Sequence, residues 1–154
     1  MKMKKNVLAV CVMLLAVNAV AAEKTAEQLV AGKKQADITY RQLMEIMGTA
    51  SAMINEGLVR ENPQMVRDGV DLVINHPAPN HKPWLIVAPK DQEEFKKTLV
   101  AYDPILDSQA EQIAVTAEKR DWNAANSAAS TLMGTCIACH AGWKDKTTDI
   151  RKLR

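Results

Sequence analysis

One run of spacings near the C-terminus restricts the fold more than any other feature of the chain. Trp122, Ala125, Ala129, Leu132, Cys136, Cys139 and Trp143 succeed one another in alternating steps of three and four. That is the heptad rhythm of a helix packed along one seam, and it is incompatible with the two-residue period of a strand. The segment is therefore committed to the interior of a helical assembly, and it carries two cysteines inward. Composition points the same way. Aromatic residues make up 4% of the chain while methionine occurs eight times, a balance that favours helix over sheet.

The two cysteines belong to Cys136-Ile137-Ala138-Cys139-His140. Cys-x-x-Cys-His is the attachment signature of a c-type haem. On a helix, cysteines three apart project from one face, so two thiols can bond the two vinyl groups of one porphyrin. His140, four residues after Cys136, can turn its imidazole to the iron as an axial ligand. The motif thus calls for one haem c, covalently held through two thioethers. A zinc site fits less well, because zinc takes about four ligands and the other histidines, His76 and His81, lie far upstream without a second cysteine pair. A thioredoxin-like redox pair would sit between a strand and the start of a helix. Here the residues before the motif read as helix.

The N-terminus reads as an export signal. Lys2, Lys4 and Lys5 form a basic start, residues 7–17 an apolar stretch, and Ala19-Val20-Ala21 an A-x-A cleavage pattern. Residues 1–22 are thus expected to be a removed signal peptide and residues 23–154 a single domain. The apolar stretch is too short to span a bilayer, and the bulky Val10 before Cys11 argues against a lipoprotein signal. Removal of the signal lowers the basic residues from 20 to 17 against 18 acidic ones. A chain so balanced is not built for nucleic acid or an anionic membrane surface. It is expected to be soluble and periplasmic, where c-type haem is attached.

Along the chain, residues 23–57 read as helical, with Thr25 and Gln28 as a capping box and Gly32 as a weak point. Tyr40, Met44, Met47, Ser51, Ile54 and Leu58 give this first helix one apolar stripe. Asn62-Pro63 starts a second helix, which Pro77 and Pro79 end. The proline-rich stretch 76–89 forbids regular helix, though residues 84–87 could form a short extended piece. Asp91 and Glu94 look like the capping box of a short helix. Asp103-Pro104 is expected to restart a third principal helix, with Leu106, Ala110, Ile113 and Ala117 as its stripe. Asp121 caps the fourth. The expected fold is all-α: an antiparallel four-helix bundle with a long loop between helices two and three.

These features together resemble the class II c-type cytochromes, the cytochrome c′ and cytochrome c-556 group. The resemblance rests on the signal peptide, the helical pattern and the single Cys-x-x-Cys-His near the C-terminus. Tyr40-Arg41-Gln42-Leu43-Met44-Glu45-Ile46-Met47-Gly48 is similar to the family's first helix, and Trp143-Lys144 to its aromatic-basic pair. It implies that Cys136, Cys139 and His140 hold the haem, that Met44 supplies a distal ligand, and that Arg41 meets a propionate. Met47 shares a face with Met44 at i, i+3; a histidine from the loop and an open sixth position are further readings. His/Met ligation implies electron transfer with redox partner proteins and no enzyme activity. An open position implies a gas-binding protein that takes NO or CO. The resemblance also implies homodimerisation through the first two helices as an option.

Overall fold

The computed structural model describes residues 24–147; the expected signal segment lies outside them. The described chain is all-α apart from one two-residue strand pair. It opens with the short helix α1 (Ala26–Ala31), capped reciprocally by Thr25 and Gln28. The chain then leaves helical geometry at Gly32. It forms strand β1 (Gln35–Ala36) and re-enters helix at α2 (Tyr40–Val59). The expected single first helix is thus two. The second start is set by a further capping box, Thr39 with Gln42, whose side chains and backbone amides satisfy each other.

Helix α3 (Pro63–Ile74) begins as the Asn62-Pro63 pair dictates, with the Asn62 carboxamide accepting from Met65 N at 3.2 Å. The proline-rich loop contains strand β2 (Ala78–Pro79), parallel to β1, and two 3₁₀ turns at Pro83–Ile86 and Pro89–Asp91. Residues 84–87 are therefore mostly a 3₁₀ turn and not extended. Helix α4 (Gln92–Glu118) runs straight through Pro104, so the short helix and the third principal helix are one. Proline costs this helix a backbone hydrogen bond. The helix nevertheless continues because both its ends are anchored, Phe95 in one apolar cluster and Ala110 to Ala117 in another. Helix α5 (Trp122–Trp143) follows, with the Asp121 carboxylate accepting from Ala124 N at 3.0 Å.

The α2–α3 and α4–α5 connections use the same device. Glu61 and Arg120 both take positive φ, 51° and 59°. The next residue in each turn donates back to the helix just ended, Asn62 N to Gly57 O and Asp121 N to Thr116 O. This is a Schellman closure whose last residue also caps the following helix. Helices α2 with α3, α3 with α4, and α4 with α5 pack extensively, and α2 meets α5 along a slimmer seam. Arg67 laces α3 to α4 by reaching both Glu111 and Glu118.

Two apolar clusters hold the fold. The larger joins Ala50, Ile54 and Leu58 of α2 to Val66, Val70 and Val73 of α3, Ile113 and its alanine neighbours of α4, and Ala125, Ala129 and Leu132 of α5. The smaller joins Ala26, Trp84, Ile86, Val87 and Phe95, with Tyr40 and Trp143 against it. Each fully buried Val or Ile in these clusters contributes about 1.5–3 kcal/mol.

Candidate functional site

The motif occupies the last two turns of α5 and is helical throughout. Cys136 and Cys139 therefore share a face, as their spacing requires; both are half-buried and both thiols are free. Burial raises the pKa of each above the ordinary thiol value, and at Cys139 the neighbouring Cys136 adds to the effect. The helix end has the same sense, since the C-terminal end of a helix dipole disfavours an added negative charge. A dithiol redox centre needs the opposite environment, a helix N-terminus that stabilises thiolate. His140 follows on the exposed side of the same turn.

The surroundings of the motif are aromatic on one side. Tyr40, the first residue of α2, has its phenol pKa raised, first by burial and then by the proximity of Cys139. Its ring meets Phe95 edge-on at 6.4 Å, and Phe95 meets Trp143 at 4.9 Å. Lys146 lies 4.6 Å over the Trp143 ring. Trp143 is thus a packing residue that ties the end of α5 to α4.

Between the two apolar clusters the interior thins out at one level. On α2 no residue between Leu43 and Ala50 is buried, on α4 none between Phe95 and Ala110, and on α5 none beyond Leu132. Met44, Met47, Leu99, Tyr102, Leu106, Cys136 and Cys139 occupy this level, all half-buried. On α5, Met133 and Ile137 are 37% and 60% exposed, and with His140 they follow steps of four and three along one side of the helix. Large apolar side chains left open beside a histidine and a thiol pair offer the surface that a flat apolar group would cover. The residues fit a haem: Cys136 and Cys139 would hold it and His140 would ligate it.

The remaining expected residues are distributed as follows. Met47 packs against the larger cluster, whereas Met44, one turn closer to the start of α2, belongs to neither cluster. Arg41 pairs with Glu45 at 3.0 Å on the exposed face of α2. In the loop, His76 Nδ1 lies 3.1 Å from the Pro77 carbonyl and near Lys33, Asp103 and Asp107. His81 Nε2 is buried without a hydrogen-bond partner. Burial lowers the pKa of both histidines. Among the described residues no three His, Cys, Asp or Glu side chains gather as a metal-ion site, and no helix is long and apolar enough to cross a membrane. Sequence reasoning placed Tyr40 on an apolar stripe but missed its proximity to Cys139; no periodicity within one helix could have revealed it.

No protein-family model, curated protein or solved structure matches the chain.

Proposed function

We propose that this protein is an exported, periplasmic c-type cytochrome of the class II kind that carries electrons, built as an antiparallel four-helix bundle of α2, α3, α4 and α5. The observation that carries the reading is the Cys136/Cys139 pair, half-buried on one face of α5 where the interior thins, with His140 beside it. Cys136 and Cys139 would hold one haem c, and His140 and Met44 would ligate its iron. Bound haem supplies one-electron Fe(III)/Fe(II) chemistry, and a Met/His ligand pair raises its potential.

The chain's own residues have definable parts in this. Helix α5 keeps both thiols on one face and fixes the direction of the histidine. Tyr40, Phe95 and Trp143 make successive edge-to-face ring contacts that fix the end of α5 carrying the motif against α4 and α2. Met44 is available for ligation because it is not engaged in either apolar cluster, whereas Met47 is engaged in packing. Arg41 would meet a propionate in place of its exposed pair with Glu45, a pair whose loss costs little because exposed i, i+4 pairs contribute about 0.3–0.5 kcal/mol.

The test is the absorption spectrum of the exported protein, oxidised, reduced, and reduced with carbon monoxide. A low-spin haem spectrum that the gas barely alters supports the carrier. A high-spin spectrum that shifts with the gas replaces it with a five-coordinate NO- or CO-binding protein. Cys136→Ala and Cys139→Ala each weaken covalent attachment; retention of covalent haem in both would overturn the motif reading.

A further inference from the structure

The outward side of α4 carries an exposed apolar surface that neither core cluster covers. Ala101, Pro104 and Ile105 lie on it, with Ser108 a turn further on, all exposed and spaced by three or four residues. Ile105 is 44% exposed. Leu29 of α1 and Val100 of α4 extend this surface into the groove between the two helices. The charges lining the groove differ in sign at its two ends. Lys24 and Lys97 stand at one end and Asp107 at the other. Lys97 is held only loosely, by the exposed Glu94 at 3.5 Å. Lys96 beside it is committed, since it pairs with Glu27 and Glu93 and lies 4.9 Å over the Trp84 ring. Asp107 is half-buried and in no ion pair among the described residues, because the nearby Lys33 is taken by Asp103 at 3.2 Å and by the Ile74 carbonyl. A carboxylate held partly out of water without a partner is unfavourable until a cation reaches it.

We propose that this side of α4 is an interface with a second copy of the chain, the two α4 helices lying antiparallel about a two-fold axis at the level of Tyr102. Lys97 and Asp107 are ten residues apart, which is about 15 Å along the helix. An axis midway between them sets Lys97 of each copy opposite Asp107 of the other. A two-fold interface must be complementary to itself. A patch with a cation at one end, an anion at the other and an apolar middle meets that condition, whereas a patch of one sign selects a foreign partner of opposite charge. Ala101 and Ser108 are small, so the helix axes can approach to the ordinary packing distance of about 8–10 Å. With one helix side and the rim of α1 to bury, the dimer belongs to the weak, exchanging class. This surface is distinct from the α2–α3 pairing that the resemblance implies, and it needs no haem.

Sedimentation equilibrium of the purified, full-length exported protein, at tens to hundreds of micromolar, tests the pairing. The expected result is a reversible dimer at low ionic strength that weakens at about 1 M salt, where the screening length falls to about 3 Å. Lys97→Asp and Asp107→Lys each weaken dimerisation by more than about tenfold, because each sets like charges opposite one another at both ends of the contact. The two changes combined restore it. A monomer throughout overturns the proposal, as does a dimer that neither single change weakens or a combined variant no tighter than the single ones. If Asp107→Lys does not fold beside Lys33, Lys97→Asp and Ala101→Arg decide the matter. Ala101→Arg sets a cation near the axis against its own copy and abolishes the dimer; a dimer that survives both overturns the proposal. A dimer lost on Val59→Asp, at the exposed end of α2, yet unmoved by Lys97→Asp is the α2–α3 pairing and also overturns it.

Discussion

Gly69→Ala isolates the close approach of α2 to α3 from every other feature of the fold. A Cβ at position 69 would meet Ile54 Cγ1 at 2.8 Å, the Ala50 carbonyl oxygen at 2.9 Å and Ile54 N at 3.0 Å. Two of those three atoms are backbone, so the strain cannot be relieved by turning one side chain. The helices must separate, and Val66, Val70 and Val73 would lose part of their contact with Ala50 and Ile54. Overpacking of this kind costs about 1–3 kcal/mol, and backbone neighbours place it at the upper end. Against it stands the helix propensity gained when alanine replaces glycine, about 1 kcal/mol. The net expectation is destabilisation by about 2 kcal/mol. Gly134→Ala is the matched control: a Cβ there meets nothing within 4 Å on the exposed side of α5. The same chemical change should therefore stabilise by about 0.5–1 kcal/mol. Urea unfolding followed by far-ultraviolet circular dichroism reads both. If Gly69→Ala proved neutral or stabilising, the helix interface would be looser than the contact distances require.

Arg120 holds φ at 59° in the α4–α5 turn, a conformation that costs a non-glycine residue about 1–2 kcal/mol; Arg120→Gly should raise the unfolding free energy by a net amount of about 0.5–1 kcal/mol, the remainder being lost to chain entropy, and shift the urea midpoint upward. A drop in the midpoint would contradict the turn geometry. Burial holds the His76 pKa below its ordinary 6.5, so the unfolded chain takes up its proton first and stability is lost as pH falls below that value. His76→Gln should flatten the fall in melting temperature between about pH 7.5 and 5.5, His81 keeping its own share; an unchanged slope would show that His76 is not desolvated against Lys33, Asp103 and Asp107. On the cytochrome reading, Met44→Ala converts a six-coordinate low-spin spectrum to high spin. Met47→Ala leaves the spectrum intact and costs about 2 kcal/mol through lost packing; the reverse assignment of the two effects would exchange their roles.

The helix starts that sequence reveals best are those carried by local chemistry. Thr25 with Gln28, Asn62-Pro63 and Asp121 each act within three or four residues, and each stands where its side chain can reach. Pro104 illustrates the opposite case. Its local penalty argues for a break, but α4 is held at both ends by clusters formed with residues far away in sequence. The β1–β2 pair is equally illegible, because Lys33 reaches the Ile74 carbonyl across 41 residues and Asp103 beyond it. No periodicity within residues 32–39 encodes that contact.

The site separates direction from depth in the same way. A heptad seam says which side of α5 faces inward, and Ala125, Ala129 and Leu132 are buried as the spacing requires. It does not say how much of that side other helices will cover. From Cys136 onward the same face is only half covered, and α2 and α4 thin out at the corresponding level. The residues placed there are mixed: Leu99 and Leu106 of α4 stand with two cysteines, two methionines and a tyrosine, soft or polar-tipped side chains that close a polypeptide core less tightly than leucine or isoleucine alone. A seam that keeps its rhythm while its side chains stop filling the interior is the feature on which the proposed haem rests. The thiols and histidine at that level give the reason to seek a covalently attached group there, and the Cys-x-x-Cys-His spacing is what makes haem c the group proposed.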